Sequence, residues 1–437
     1  MTIFGIAHRL LCEYEASGKY VNLSLNSHIT DGQTKEDRAA LTALLYGTVE
    51  RKIKYDYFIS ALSGRSIEKI SPAVRDILRI GLCALLDMDK IPDHAAVNEC
   101  VKLARNQGER GFVNGVLRRA ARERDSLPLP DKSKNAARYY SVYYSLPIST
   151  VRYFIGELGE VGAVSFFEST FERSKKTALT VNTNKISVND FISKLLSAGY
   201  KAELSNISDI SVIVEGSLNP KDLDGFSEGE FFVQDEASAL AAAALGISEG
   251  DVAVDTCAAP GGKSFSLAVR SGDMAKIYSY EFHESKISLI SDGAKRLGLN
   301  SVFAECRNAL EPNPALLGKA NLVLCDVPCS GLGVIGKKPD LRYKDIASLA
   351  HLPALQLEIL KKSAEYLEVG GALVYSTCTL IKEENEGVVS AFLAQNPNFV
   401  REEFSVGCIK SKDGSVTLYP HINGTDGFFV AKIRKKQ

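Results

Sequence analysis

Apolar positions in the first 125 residues recur every three or four places, the spacing of helices that bury one face. Ile3, Ala7, Leu10, Leu11 and Tyr14 make one such stripe. Ser71-Pro72 reads as a cap followed by a proline at the first helical position, where a missing N–H does no harm. Val74, Ile77, Leu78, Leu82 and Leu85 then share a face. Asp93 stands where it can cap a further helix carrying Val97, Val101 and Ala104. A last helix sets Phe112, Val113, Val116, Leu117 and Ala120 on one side, with Arg118, Arg119, Arg122 and Arg124 on or near the other. Leu127-Pro128-Leu129-Pro130 ends the pattern, and 126–138 reads as a linker.

From 139 to 234 the periods mix. Strands are expected at 179–182 and 211–214, with a helix over 188–198, giving a small α+β unit without a catalytic signature. The run Phe231-Phe232-Val233-Gln234-Asp235-Glu236-Ala237-Ser238 then leads into an alanine-rich helix. From 235 to 437, strand-length apolar runs alternate with helical patterns, the mark of a mainly parallel sheet. Strands are expected at 252–255, 277–281, 302–305, 322–326, 372–377 and 427–433. The expectation is therefore a multidomain chain: all-α at 1–125, α+β at 139–234 and α/β at 235–437.

A length of 437 residues agrees with more than one core. Lys+Arg 52 against Asp+Glu 53 leaves a net charge of −1, so any grip on a polyanion must come from a local basic face. The arginine cluster at 118–124 is the densest such segment in the helical region. It reads either as a solvated helix face or as a phosphate-binding surface, extended by Arg110 and Asn114. Nine cysteines at irregular spacing do not resemble a secreted disulfide scaffold. The first residues lack a signal peptide's layout, and no apolar run approaches a membrane span. A reducing cytoplasm is the expected compartment.

Two cysteines stand at strand ends. Cys329 closes Asp326-Val327-Pro328-Cys329 after Leu322-Val323-Leu324, and Cys378 closes Ser376-Thr377-Cys378 after Leu373-Val374-Tyr375. Strand ends are where open α/β sheets carry their chemistry. An acid and two thiols suit attack on a pyrimidine, because C5 of cytosine is a poor nucleophile until a thiolate adds at C6. The enamine so formed can take a methyl group from a sulfonium donor.

Cys257-Ala258-Ala259-Pro260-Gly261-Gly262-Lys263-Ser264 follows the first strand of the same region. Small residues let the backbone approach a ligand, and the next helix offers its N–H groups. Glu281 ends the second strand, at the separation where an acid meets ribose hydroxyls in doubly wound folds. A phosphate-wrapping P-loop is the rival, on Gly262-Lys263-Ser264, but its first glycine would fall at Cys257. A structural turn in a cofactor-free sheet is the plain alternative. No metal site is expected: Cys325 and Cys329 have no second Cys or His pair at ligand spacing, and the chain has six histidines. Cys12, Cys83, Cys100, Cys325 and Cys408 read as buried small apolar residues.

With these residues together, the chain resembles the Sun-type ribosomal RNA cytosine-5 methyltransferases over nearly its whole length. The motifs C-A-A-P-G-G-K at 257–263, D-V-P-C-S-G at 326–331 and S-T-C at 376–378 carry the resemblance. Residues 1–125 are similar to the helical RNA-binding fold of the NusB antitermination factor. The middle unit resembles the ferredoxin-like segment of these enzymes, and the last region their Rossmann-like class I methyltransferase domain. The resemblance implies S-adenosylmethionine as donor, held by Cys257, Ala258, Ala259, Pro260, Gly261, Gly262 and Lys263, with Glu281, Asn308 and Asp326. It implies Cys378 as nucleophile, Cys329 as the residue that helps release product, and Asp326 and Lys263 beside the reacting base.

The implied substrate is 16S ribosomal RNA, free or in an assembling small subunit, and the implied enzyme is a cytoplasmic monomer without metal. Three departures stand out. Glu281 occupies a position that is usually Asp, Asn308-Ala309 replaces Asp-Ala, and no Trp follows the proline of Ser145-Leu146-Pro147. A non-catalytic RNA-binding or assembly factor is the second class of reading. Loss of either motif cysteine would favour it, and neither is lost.

Overall fold

A computed structural model describes residues 2–17, 34–171, 176–216 and 218–436, and the chain divides into two compact units. The first is Met1–Glu168 together with Lys337–Ala347. Helices Ile3–Ser17, Lys35–Glu50, Lys52–Ser63, Pro72–Leu86, Asp93–Leu103 and Gln107–Arg122 turn their apolar stripes onto one core. Ala7, Leu10, Leu44, Ile59, Leu78, Val97 and Leu117 lie at its centre. The cap expected of Asp93 is not made. Pro92 holds the N-cap position and Asp93 sits inside the first turn, its carboxylate 2.6 Å from Arg124. An acid in that turn still faces the helix's partial positive end.

Helices Ala136–Tyr143 and Ile148–Ser169 follow, so residues 139–168 belong with the helical unit. The segment Lys337–Ala347 completes it. Helix Lys52–Ser63 begins without a side-chain cap, leaving its first N–H groups in need of acceptors. The Lys52 N–H donates to the Tyr343 hydroxyl at 3.0 Å, and the Ile53 N–H to Ser145 Oγ at 2.9 Å. Tyr343 in turn donates to the Val49 carbonyl. Arg342 is wholly buried and donates Nη2 to the Tyr144 carbonyl at 2.8 Å.

The second unit, Ser169–Gly336 with Ser348–Gln437, holds two main sheets. Strands β1 (Lys176–Val181), β2 (Ala202–Leu204), β3 (Ser211–Glu215) and β4 (Phe231–Val233) form an antiparallel sheet in the order β2-β3-β1-β4. Helix Val188–Ser197 packs Phe191 and Leu195 onto Leu179, Val212 and Phe231. This is the small α+β unit expected from the mixed periods.

The larger sheet is built from β5 (Val252–Asp255), β6 (Lys276–Glu281), β7 (Val302–Cys306), β8 (Ala320–Asp326), β9 (Leu367–Thr377) and β10 (Phe399–Arg401). Strands β11 (Ser405–Val406) and β12 (Ile409–Lys410) pair apart from it, while β13 (Ser415–Leu418) and β14 (Phe428–Lys435) complete it. Its order is β10-β14-β9-β8-β5-β6-β7, with β13 also on β14. Strands β5 to β9 run parallel, and β14 returns antiparallel beside β9. Side chains alternate between the two faces. Leu322 and Leu324 join the core under helices Glu236–Leu245 and Gly262–Arg270, while Val323 and Cys325 join that under Leu352–Ala364 and Glu386–Gln395. Chain order reverses between β5 and β8, so the crevice beyond their carboxyl ends is the natural ligand site. Among the described residues no helix is long and apolar enough to cross a membrane.

Candidate active site

Register brings the expected residues to one edge of the sheet. Asp255 pairs with Leu324 and Ser279, Glu281 with Cys306, and Asp326 with Ser376. The loop 257–263 leaves β5 at that edge. Its turn includes a cis Ala259–Pro260 peptide and Gly261 at φ 111°. A Cβ on Gly261 would come within 2.4 Å of the Phe265 ring, so both backbone and packing require glycine there.

Lys263, in the first turn of helix Gly262–Arg270, reaches across to Asp326, with Nζ 2.6 Å from Oδ2. Ser376 Oγ donates to the other Asp326 oxygen, also at 2.6 Å. Burial by itself would lower the Lys263 pKa, but the Asp326 carboxylate outweighs it and the ammonium is held charged. The Phe428 ring lies 5.5 Å from the same nitrogen.

The two strand-end cysteines meet. Cys329 and Cys378 are both half-buried, with sulfurs 3.3 Å apart. The hydrogen bond to Cys378 raises the Cys329 pKa well above a thiol's ordinary value, and burial adds to it. Either sulfur can be the donor in this contact. The tips that carry the cysteines are tied together. Ser330 Oγ lies 2.6 Å from Thr379 Oγ1, the Gly333 N–H donates to the Cys378 carbonyl at 3.0 Å, and Thr377 donates to the Asn385 side chain.

At the other end of the crevice Glu281 is 8% exposed, and its Oε1 accepts the His283 N–H at 3.0 Å. Asn308 is oriented locally, its Oδ1 accepting the Leu310 N–H and its Nδ2 donating to Glu311. Asp255 is wholly buried. Its Oδ2 accepts from Ser264 at 2.7 Å, while Oδ1 has no well-formed hydrogen bond among the described residues. Burial lifts its carboxyl to about 6, against the pull of Ser264 and Lys263.

Sequence reading did not single out Asp255, Ser376 or Phe428 as site residues. Asp255 could have been found as an acid at a strand end next to the glycine loop. Ser376 lay inside a quoted motif, but its partner is fixed only by the β8–β9 register. The cysteine reading needs correction at two places. Cys83, Cys100 and Cys325 are buried, but Cys12 is only half-buried and Cys408 is exposed, in the turn of a short hairpin. The arginine cluster is also partly spent on local partners. Arg119 bonds Glu123 and the Leu62 carbonyl, Arg124 bonds Asp93, Arg118 bonds Asn114 Oδ1 at 2.8 Å and Arg122 lies 3.6 Å from Glu123, though all four are exposed. Among the described residues no group of three or more His, Cys, Asp or Glu is placed to hold a metal ion.

Comparison with known proteins agrees with this geometry. Residues 242–434 match the family 16S rRNA methyltransferase RsmB/F, and residues 5–122 match the NusB family. A probable ribosomal RNA small subunit methyltransferase B of Bacillus subtilis is 34% identical over 99% of this chain and 98% of its own length. The ribosomal RNA small subunit methyltransferase B of Thermus thermophilus is 32% identical over 92% of this chain and 89% of its own. The crystal structure of PH0851 superposes with a TM-score of 0.82 at 26% identity, covering 100% of this chain and 99% of that one. The chain thus belongs to the ribosomal RNA small subunit methyltransferase B family, a NusB-family domain preceding its methyltransferase domain.

Proposed function

We propose that this protein methylates C5 of a cytosine in 16S ribosomal RNA through a covalent adduct between Cys378 and C6 of the base, acting as a cytoplasmic monomer. The observation that carries the reading is the pair of sulfurs 3.3 Å apart beside the Lys263–Asp326–Ser376 chain. A thiol that keeps its proton lets its neighbour ionise, and the thiolate is the nucleophile. Asp326 would hydrogen-bond the cytosine edge and support a proton at N3 during attack, with the Lys263 ammonium as the nearest donor. The target base must leave its stack to meet Cys378, so a single-stranded or loop site is expected.

S-adenosylmethionine, held by the 257–263 loop with Glu281, Asn308 and Asp326, would supply the electrophilic methyl group. The residues fit that donor. It carries positive charge and ribose hydroxyls, and the ends of β6 and β8, the two neighbours of β5, carry the carboxylates Glu281 and Asp326. Asn308 can serve the adenine through the second lone pair of an oxygen that already accepts from Leu310.

In a tritium-transfer assay on 16S RNA, Cys378→Ala is expected to abolish methylation while donor binding by calorimetry persists. Normal methylation by that variant would overturn the nucleophile assignment. Cys329→Ala is expected to accumulate a covalent RNA–protein adduct on a denaturing gel. Unchanged turnover without adduct would remove Cys329 from the mechanism.

A further inference from the structure

Cys329 lies between two peptide groups, and both are gripped by side chains from outside its loop. The Pro328 carbonyl, on one side, accepts from Gln356 Nε2 at 3.0 Å. The Ser330 N–H, on the other, donates to Glu384 Oε2 at 2.9 Å. Gln356 Nε2 also donates to that same Glu384 oxygen at 2.8 Å, which joins the two grips into one bracket. Gln356 comes from helix Leu352–Ala364, and Glu384 from the turn after β9, where the Tyr375 hydroxyl bonds its carbonyl at 2.6 Å. Both side chains are buried, at 0% and 2% exposure.

A buried carboxylate and amide are costly unless they are hydrogen-bonded, and an apolar pair would fill the same space at less expense. What the polar pair adds is direction. The planes of the two peptides flanking a residue set its φ and ψ, and these set where its side chain points. With both planes held, the Cα–Cβ bond of Cys329 is set, and its sulfur lies 3.3 Å from that of Cys378. The rest of the centre is held by other means. Asp326 is bound by Lys263 and Ser376, and the Cys378 tip by Gly333 and the Thr377–Asn385 pair.

We propose that Gln356 and Glu384 are positioning residues for Cys329, and that they control release of methylated RNA rather than methyl transfer; this rests on the function proposed above. In release, the C5 proton passes to water and its electron pair closes the C5=C6 double bond. The C6–S bond breaks, and the Cys378 sulfur departs as a thiolate that accepts the Cys329 S–H. A misdirected Cys329 leaves that sulfur a poorer leaving group.

The test uses the full chain with S-adenosylmethionine and a 16S RNA transcript. Gln356→Met keeps size and removes the donor, and Glu384→Leu removes the acceptor. Each is expected to raise covalent adduct roughly tenfold and to slow multiple turnover by a similar factor, with first-turnover methyl transfer within about threefold of the parent. Glu384→Gln retains an oxygen able to accept both bonds and is expected to restore release. In a Cys329→Ala background, Gln356→Met is expected to add nothing. Equal slowing of the first transfer, no adduct, no rescue by Gln, or a further loss on top of Cys329→Ala would each overturn the proposal. Cys329→Ala alone keeps the two readings apart. If it traps adduct and Gln356→Met does not, only the bracket fails; if it traps none, the release role itself fails.

Discussion

Asp255 is a carboxylate in a place that does not favour charge. Its carboxyl is lifted to about 6 from an ordinary 3.8, mainly by burial. A raised folded-state value means that its contribution to stability is fully present below pH 4 and is lost as pH rises through 6. The loss is about 3 kcal/mol, from the size of the shift. Asp255→Asn has no such titration. Its unfolding free energy relative to the parent is therefore expected to rise by about 2–3 kcal/mol between pH 4 and pH 7 in urea titrations. A difference that stayed flat with pH would show that the buried carboxylate carries no charge penalty. Lys263, Asp326, Cys329 and Cys378 were legible as a group because each belongs to a short motif, at 257–263, 326–331 or 376–378, that follows or ends an apolar strand. Gln356 and Glu384 were not, since each meets the Cys329 loop only through the folded sheet, its partner 28 or 54 positions away in the chain.

Among elements, the central strands were legible for a physical reason. A parallel strand buried on both faces reads as an unbroken apolar run, as Leu322–Cys325 and Leu373–Tyr375 do. Strands β10 to β13 have two to four residues each and sit at edges, where burial leaves no period to read. Two elements meet tightly where Gly333 passes the turn into β14. A Cβ there would come within 2.1 Å of the Gly427 carbonyl oxygen and 2.9 Å of the Cys378 carbonyl oxygen. Gly333→Ala must therefore push β14 from the tip of β9, and it is expected to lower turnover by at least about tenfold. Donor binding by calorimetry is expected to persist, because the 257–263 loop lies on β5. Full activity in that variant would mean that the tip tolerates displacement.

For the whole molecule, a net charge of −1 offers no general attraction for RNA, so selectivity falls to local surfaces. Arg118 and Arg122 are exposed, their local partners being the neutral Asn114 amide and a Glu123 oxygen 3.6 Å away, and we propose them as phosphate contacts. Replacing both by Ala is expected to weaken RNA binding and flatten its salt dependence by about one unit of slope per lost contact. The parent's affinity and slope in the double variant would return the cluster to a solvated helix face. The all-α, α+β and α/β order was legible from hydrophobic period. That Lys337–Ala347 belongs with the first unit was not, because Arg342 and Tyr343 act there through backbone groups that leave no trace in a sequence.

That belonging has a consequence in time. A chain emerges from the ribosome in order, at about 5–20 residues per second. Tyr343 and Arg342 therefore arrive roughly nine to thirty-five seconds after Glu168. Until then the Lys52 N–H and the Tyr144 carbonyl lack the bonds that Tyr343 and Arg342 make to them in the finished protein. A nascent chain halted before residue 337 would carry an unfinished N-terminal unit, open to proteases and chaperones, whatever the quality of its own core.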